Sequence, residues 1–125
     1  MRGVELAGGL GILNLAAALD HIGGDRELLA EVAGLFLENS PRLMVKIKEA
    51  VEAGNPYELE RAAHALKGSA SNFAAESTVE AALRLETMGR SLKLAGVQEA
   101  YRTLEGEMGR LCPVLAEIAG SRAVR

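Results

Sequence analysis

His64, Lys67, Gly68 and Ser71 stand at i, i+3, i+4 and i+7 in the stretch "ERAAHALKGSASNF", residues 60–73, and Arg61 precedes the histidine at i−3. In a helix these positions share one face. A neutral imidazole is a good nucleophile and can carry a covalent intermediate. Histidine side chains in general hold that neutral form in useful amounts near pH 7. A lysine one turn away can neutralise negative charge arriving on or beside the ring. A glycine has no side chain, so a bulky partner can come close to the ring. Glycine also costs about 1 kcal/mol relative to alanine in a helix interior. Gly68 therefore either has a steric use or marks the end of its helix.

These residues need a helix to hold them, and the chain reads as helical throughout. It has 125 residues, enough for one domain with a single real core. It is 49% hydrophobic but only 3% aromatic, with leucine and alanine dominant, which favours helices. A short first helix is predicted over 14–22, closed by Gly23-Gly24. Asp25 reads as the N-cap of a second, with Leu28, Leu29, Val32, Leu35 and Phe36 on its apolar face. Ser40-Pro41 has the N-cap and N1 chemistry of a third, with Leu43, Met44, Ile47 and Val51 inward and Gly54 at its end. Asn55-Pro56 repeats the start signal, and Glu58 three residues on fits a capping box. This helix carries His64, with Leu59, Ala62, Ala63, Leu66 and Ala70 on its core side. His64 lies about 140° round the wheel from Leu59 and points away from the core.

A further helix is predicted over 77–90, with Ala81, Leu85, Met88 and Leu92 inward. The last carries Val97, Tyr101, Leu104, Met108, Leu111, Leu115 and Ile118 at alternating spacings of four and three. Pro113 is expected to kink it or split off its final turns. No segment alternates with period two as a half-buried strand does. The expected architecture is all-α: an antiparallel four-helix bundle, up-down-up-down, with an additional short N-terminal helix.

Several function classes fall away. The net charge is −3 and no basic stripe stands out, which argues against nucleic acid. Cys112 is the only cysteine, so a disulfide within the chain is excluded and a reducing, cytoplasmic setting fits; the residue reads as a packing group. "MRGVELAGGLGILNLAAAL" faintly resembles a signal peptide, but Glu5, Asn14 and several glycines break the run. No stretch is long and apolar enough for membrane insertion. "GGLG" at 8–11 lacks the Gly-Lys-Ser/Thr ending of a phosphate loop. His21 sits where a cation suits a helix C-terminus. No Glu-x-x-His pair supports a metal shared between His21 and His64, so no metal ligands are assigned. A metal-binding bundle stays as a minor rival, which metal analysis of the purified protein would test.

"HALKGSASNFAA" resembles the signature of histidine-containing phosphotransfer (HPt) domains, commonly H-x-L-K-G-S followed by small residues and a Gly-Ala. "ALDHIGGDRELLAEVAGLFLENSP" is similar to that family's N-terminal helices, and "LRLETMGR" at 83–90 to the helix after its active-site helix. The resemblance covers roughly residues 13–118. It suggests a tail over 1–12, the domain over 13–120 and a tail over 121–125.

The resemblance implies a phosphocarrier of two-component signalling, not an enzyme. His64 would accept a phosphoryl group from the phospho-aspartate of a receiver domain and pass it to another receiver. Lys67 would steady the phosphoryl oxygens, and Arg61, Gly68, Ser71, Glu86 and Arg90 would lie where the receiver binds. No cofactor is implied in this chain; Mg²⁺ would sit on the receiver, itself part of a response regulator or hybrid histidine kinase. A monomer is the family expectation. Two other roles stay open: a module that docks a receiver or kinase without phosphotransfer, and a fragment of a hybrid sensor histidine kinase. Two places need comment. Ala74 stands where the family usually has glycine, which bears on the turn after the helix but should spare the His64 surface. Glu86 and Arg90, at i and i+4, are either polar groups near the phosphohistidine, as in some relatives, or a surface ion pair worth a few tenths of a kcal/mol.

Overall fold

The computed structural model describes residues 12–123. Most of the expected N-terminal tail, with its signal-like run up to residue 11, lies outside the described residues, as do 124 and 125. Ile12, the last residue of that tail, is half-buried against the core. Five helices follow: α1 Leu15–His21, α2 Arg26–Ala53, α3 Pro56–Ser71, α4 Glu76–Arg90 and α5 Val97–Ala123. No strand occurs among the described residues.

Local chemistry starts and stops most of them as expected. Asn14 and Asp25 accept hydrogen bonds from the backbone N–H groups of Ala17 and Leu28, each at 3.0 Å. Both satisfy an amide that the first helical turn leaves without a partner. Gly54 ends α2 with φ +64°, in the left-handed region, and Asn55 caps α3 through the Glu58 N–H at 3.2 Å. Pro56 then takes the first helical position. His21 closes α1, as read from its place in the chain, and its side chain is exposed.

At two prolines an expected helix break does not occur. Residues 26–53 form one helix running through Pro41, not two helices meeting at Ser40. A proline in a helix interior costs about 3 kcal/mol through one lost hydrogen bond and a clash with the preceding turn. Burying a large apolar side chain returns about 1.5–3 kcal/mol. Phe36 before the proline and Ile47 and Val51 after it are all buried, so continuity more than offsets the cost. Ser40 is therefore a buried helical residue and caps nothing. Pro113 likewise sits inside α5, with Leu111, Val114, Leu115 and Ile118 buried around it. The helix is not split and extends to Ala123, into the span read as a C-terminal tail.

Three apolar residues assigned to the core are outside it. Leu28 and Leu35 are exposed, because the inner stripe of the long α2 runs through Leu29, Ala30, Ala33 and Phe36. Leu92 is exposed at φ +60°, having left the helical path after Arg90.

The long helices α2, α3, α4 and α5 form a closed ring in which each packs on its two neighbours and the diagonal pairs stay apart. Short connections at 54–55, 72–75 and 91–96 make successive helices antiparallel, giving the expected up-down-up-down bundle, with α1 resting on α2. Phe36 of α2 meets Phe73, just past α3, edge to face at 5.6 Å between ring centres and closes the core at that end. Cys112 is half-buried, and burial pushes its thiol pKa up, which suits a packing residue. Among the described residues no helix is long and apolar enough to cross a membrane.

The turn between α3 and α4 contains Ala74 at φ +52°, a conformation that costs a residue with a Cβ roughly 1–2 kcal/mol. Ala74→Gly removes that strain but frees the unfolded chain. It should stabilise the protein by about 0.5–1 kcal/mol, read as a higher urea midpoint with unchanged slope.

Candidate functional site

The α3–α4 pair is the most extensive contact in the bundle, and it builds the site. Leu59, Ala62, Ala63, Leu66 and Ala70 of α3 are all buried, as the helical wheel predicts. Ala81, Ala82 and Leu85 are buried on α4. Alanines on both faces let the two backbones approach closely. Gly89 carries the approach furthest: a Cβ there would lie 2.6 Å from the Pro56 carbonyl oxygen and 2.8 Å from the Glu60 nitrogen. The antiparallel register that results sets His64 beside Glu86, and Glu60 beside Arg90 one turn away.

His64 projects outward with 66% of its side chain exposed, whereas Glu86 beneath it is 1% exposed. The imidazole Nδ1 lies 2.8 Å from Glu86 Oε2. Arg90 Nη2 donates to the same oxygen at 2.6 Å, and Arg90 Nε donates to Glu60 Oε2 at 3.0 Å. Lys67 Nζ approaches the other oxygen, Oε1, at 2.8 Å. That contact lies off hydrogen-bond geometry, since Oε1 is buried and accepts no well-directed bond. Of the two readings of Glu86 and Arg90, an ordinary surface ion pair is thereby overturned. The i,i+4 pair exists, but its carboxylate is buried under the histidine and shared among three nitrogen-bearing side chains.

A carboxylate at that depth is costly to ionise without partners. Burial by itself raises the Glu86 pKa, but the close polar contacts from Lys67 and then His64 outweigh it and hold the group below the usual carboxylate value. Glu60 and Glu86 together push the Arg90 guanidinium further up. An ionised Glu86 can only accept hydrogen bonds, so Nδ1 of His64 carries the proton. In the neutral ring, Nε2 then keeps its lone pair, the form a nucleophile needs.

Lys67 is half-buried and paired with Glu86. Gly68 lies inside α3, which continues to Ser71, so it is not a helix-end signal. An added Cβ at Gly68 meets nothing within 4 Å, so no neighbour in this chain requires the glycine. Ser71 is exposed and its hydroxyl donates to the Gly68 carbonyl at 2.8 Å. Arg61 is exposed on the rim of the open cleft that also holds His64, Glu86 and Arg90. Sequence reasoning missed Glu60 and Gly89. Glu60 stands four residues before His64, as Glu86 stands four before Arg90, but only the interhelical register turns that matched spacing into a contact.

No curated protein and no solved structure matches the chain. The model of the Hpt domain family matches residues 31–112, more than half of the chain and the whole of the His64–Glu86–Arg90 arrangement, and the chain belongs to that family.

Proposed function

We propose that this protein is a phosphorelay carrier in which Nε2 of His64 takes a phosphoryl group from the aspartyl phosphate of one receiver domain and yields it to another. The observation that carries the reading is an exposed imidazole whose Nδ1 proton is held by a buried carboxylate. The Nε2 lone pair attacks phosphorus, the bond from phosphorus to the aspartate oxygen breaks, and the aspartate leaves as a carboxylate. Nδ1 keeps its proton throughout, so positive charge develops on the ring. Glu86 lies where it offsets that charge. Onward transfer reverses these steps with a second aspartate.

Lys67, one turn along the same helix face, would turn from Glu86 to the arriving phosphoryl oxygens. Mg²⁺ would be held by the receiver and would neutralise charge on the same group. Arg61 and Ser71 extend the exposed face on which the receiver rests. Incubation with a phosphorylated cognate receiver should place acid-labile label on the protein and none on His64→Gln. Label on that variant would refute the assignment.

Gly68 separates stability from docking. Gly68→Ala fills open space within a helix and should stabilise the free protein by about 0.5–1 kcal/mol. The same methyl stands where the receiver must approach, so the receiver concentration giving half-maximal transfer should rise several-fold. Unfolding curves and concentration-dependent transfer on one preparation check both halves.

A further inference from the structure

We propose that Arg90 is a positioning residue for the transfer, acting through Glu86 on the orientation and proton placement of His64. The inference rests on the reading of His64 as the phosphoacceptor. It departs from the assignment of Arg90 to the receiver-binding surface.

Arg90 makes two directed bonds, one across to the neighbouring site helix and one along its own. Its Nε donates to Glu60 on α3 and its Nη2 donates to Glu86 on α4. Glu86 Oε2, which receives the second bond at 2.6 Å, also receives His64 Nδ1 at 2.8 Å. A carboxylate oxygen offers two lone pairs, and these two N–H donors fill them. Turning the carboxylate about its last torsion would break both bonds together. Lys67 does not fix that torsion, because its contact with Oε1 lacks hydrogen-bond direction. Glu60 steadies the guanidinium from the opposite helix. The planar fork of arginine supplies two divergent donors, which a lysine ammonium on a flexible stem does not reproduce.

The test uses the full chain with Arg90→Gln, Arg90→Lys, Glu60→Gln and the double variant Arg90→Gln/Glu60→Gln. Nitrogen-15 NMR of the neutral His64 ring reads its tautomer without any receiver. Single-turnover transfer from a phosphorylated receiver, over a range of receiver concentrations, separates the maximal rate from half-saturation. Arg90→Gln should move part of the population from the Nδ1–H to the Nε2–H tautomer. It should lower the maximal rate about 10-fold, the scale seen when a partner that orients an imidazole is removed. Half-saturation should not move. Arg90→Lys should resemble Arg90→Gln, Glu60→Gln should lose less, and the double variant should be no slower than Arg90→Gln alone.

A wild-type tautomer and maximal rate in Arg90→Gln would overturn the proposal, whether half-saturation rises, as for a receiver contact, or stays put. If wild-type protein accepts no phosphoryl group yet Arg90→Gln still shifts the tautomer, the positioning role stands and the phosphoacceptor reading is what fails.

Discussion

Glu86→Gln should slow phosphoryl transfer to His64 by about 10- to 100-fold, because a hydrogen bond to a charged group is worth about 1.5–3 kcal/mol and most of that is realised as the ring turns positive in the transition state. The amide can still accept the Nδ1 proton, so the loss isolates the charge. What disappears is the negative group facing a ring that becomes positive as Nε2 bonds to phosphorus. Rapid-quench transfer from a phosphorylated receiver measures the rate. An unchanged rate would remove Glu86 from the mechanism.

The same variant has a signature in stability. At neutral pH it should cost about 1–3 kcal/mol, the usual loss of a hydrogen-bonded charge. The sign of the pH dependence follows from the Glu86 pKa, which lies below its ordinary value of 4.5. The unfolded chain therefore takes up this proton first as pH falls. The stabilisation from Glu86 is complete above about pH 4.5 and is lost as pH drops through the lower folded value. The amide of the variant does not titrate. The gap between wild type and Glu86→Gln in urea unfolding should be constant above that pH and close steadily below it. A gap that persists into strong acid would contradict the ionised, paired carboxylate.

Among the helical glycines of the described residues, Gly89 is the one where an added methyl, as in Gly89→Ala, should do the most damage. At 2.6 and 2.8 Å its Cβ would meet backbone atoms of Pro56 and Glu60, which cannot rotate away as a side-chain tip can. The α3 and α4 helices must separate or shift. Overpacking of this kind costs about 1–3 kcal/mol and sometimes more, and the upper end applies when both obstacles are backbone. A fall in thermal midpoint of about 10 °C is expected on that basis. The register that sets His64 against Glu86 is built at this contact, so transfer should fall as well, even where the variant is still folded. Gly68→Ala is the matched control on the same helix pair, where the added methyl meets no neighbour. Thermal unfolding of the two variants side by side should give shifts of opposite sign.

Helix existence and facing were legible in the sequence because they depend on nearest neighbours along one chain. Gly54-Asn55-Pro56 dictates a left-handed stop, a side-chain cap and a new first turn by local sterics. The wheel of α3 separates Leu59, Ala63 and Leu66 from His64 at 3.6 residues per turn, whatever the rest of the protein does. The signals that misled were equally local. Ser40-Pro41 and Pro113 carry real helix-breaking chemistry, but the apolar burial that overrides it comes from other helices. Leu28, Leu35 and Leu92 looked inward on their own wheels, and only the ring of four helices shows which arc of each wheel is covered.

What the sequence by itself determined is therefore the candidate histidine and its face: an outward His64 with Lys67 and Gly68 one turn along, on an alanine-backed helix of an all-α bundle. Only the tertiary structure decided the electrostatics beneath it. Glu86 could be a surface charge or a buried one until the Gly89 contact fixed how closely α4 lies against α3. Glu60 and Arg90 are separated by 30 positions in the chain. They meet because two antiparallel helices lock at one register, and register is a property of the pair that neither helix carries alone.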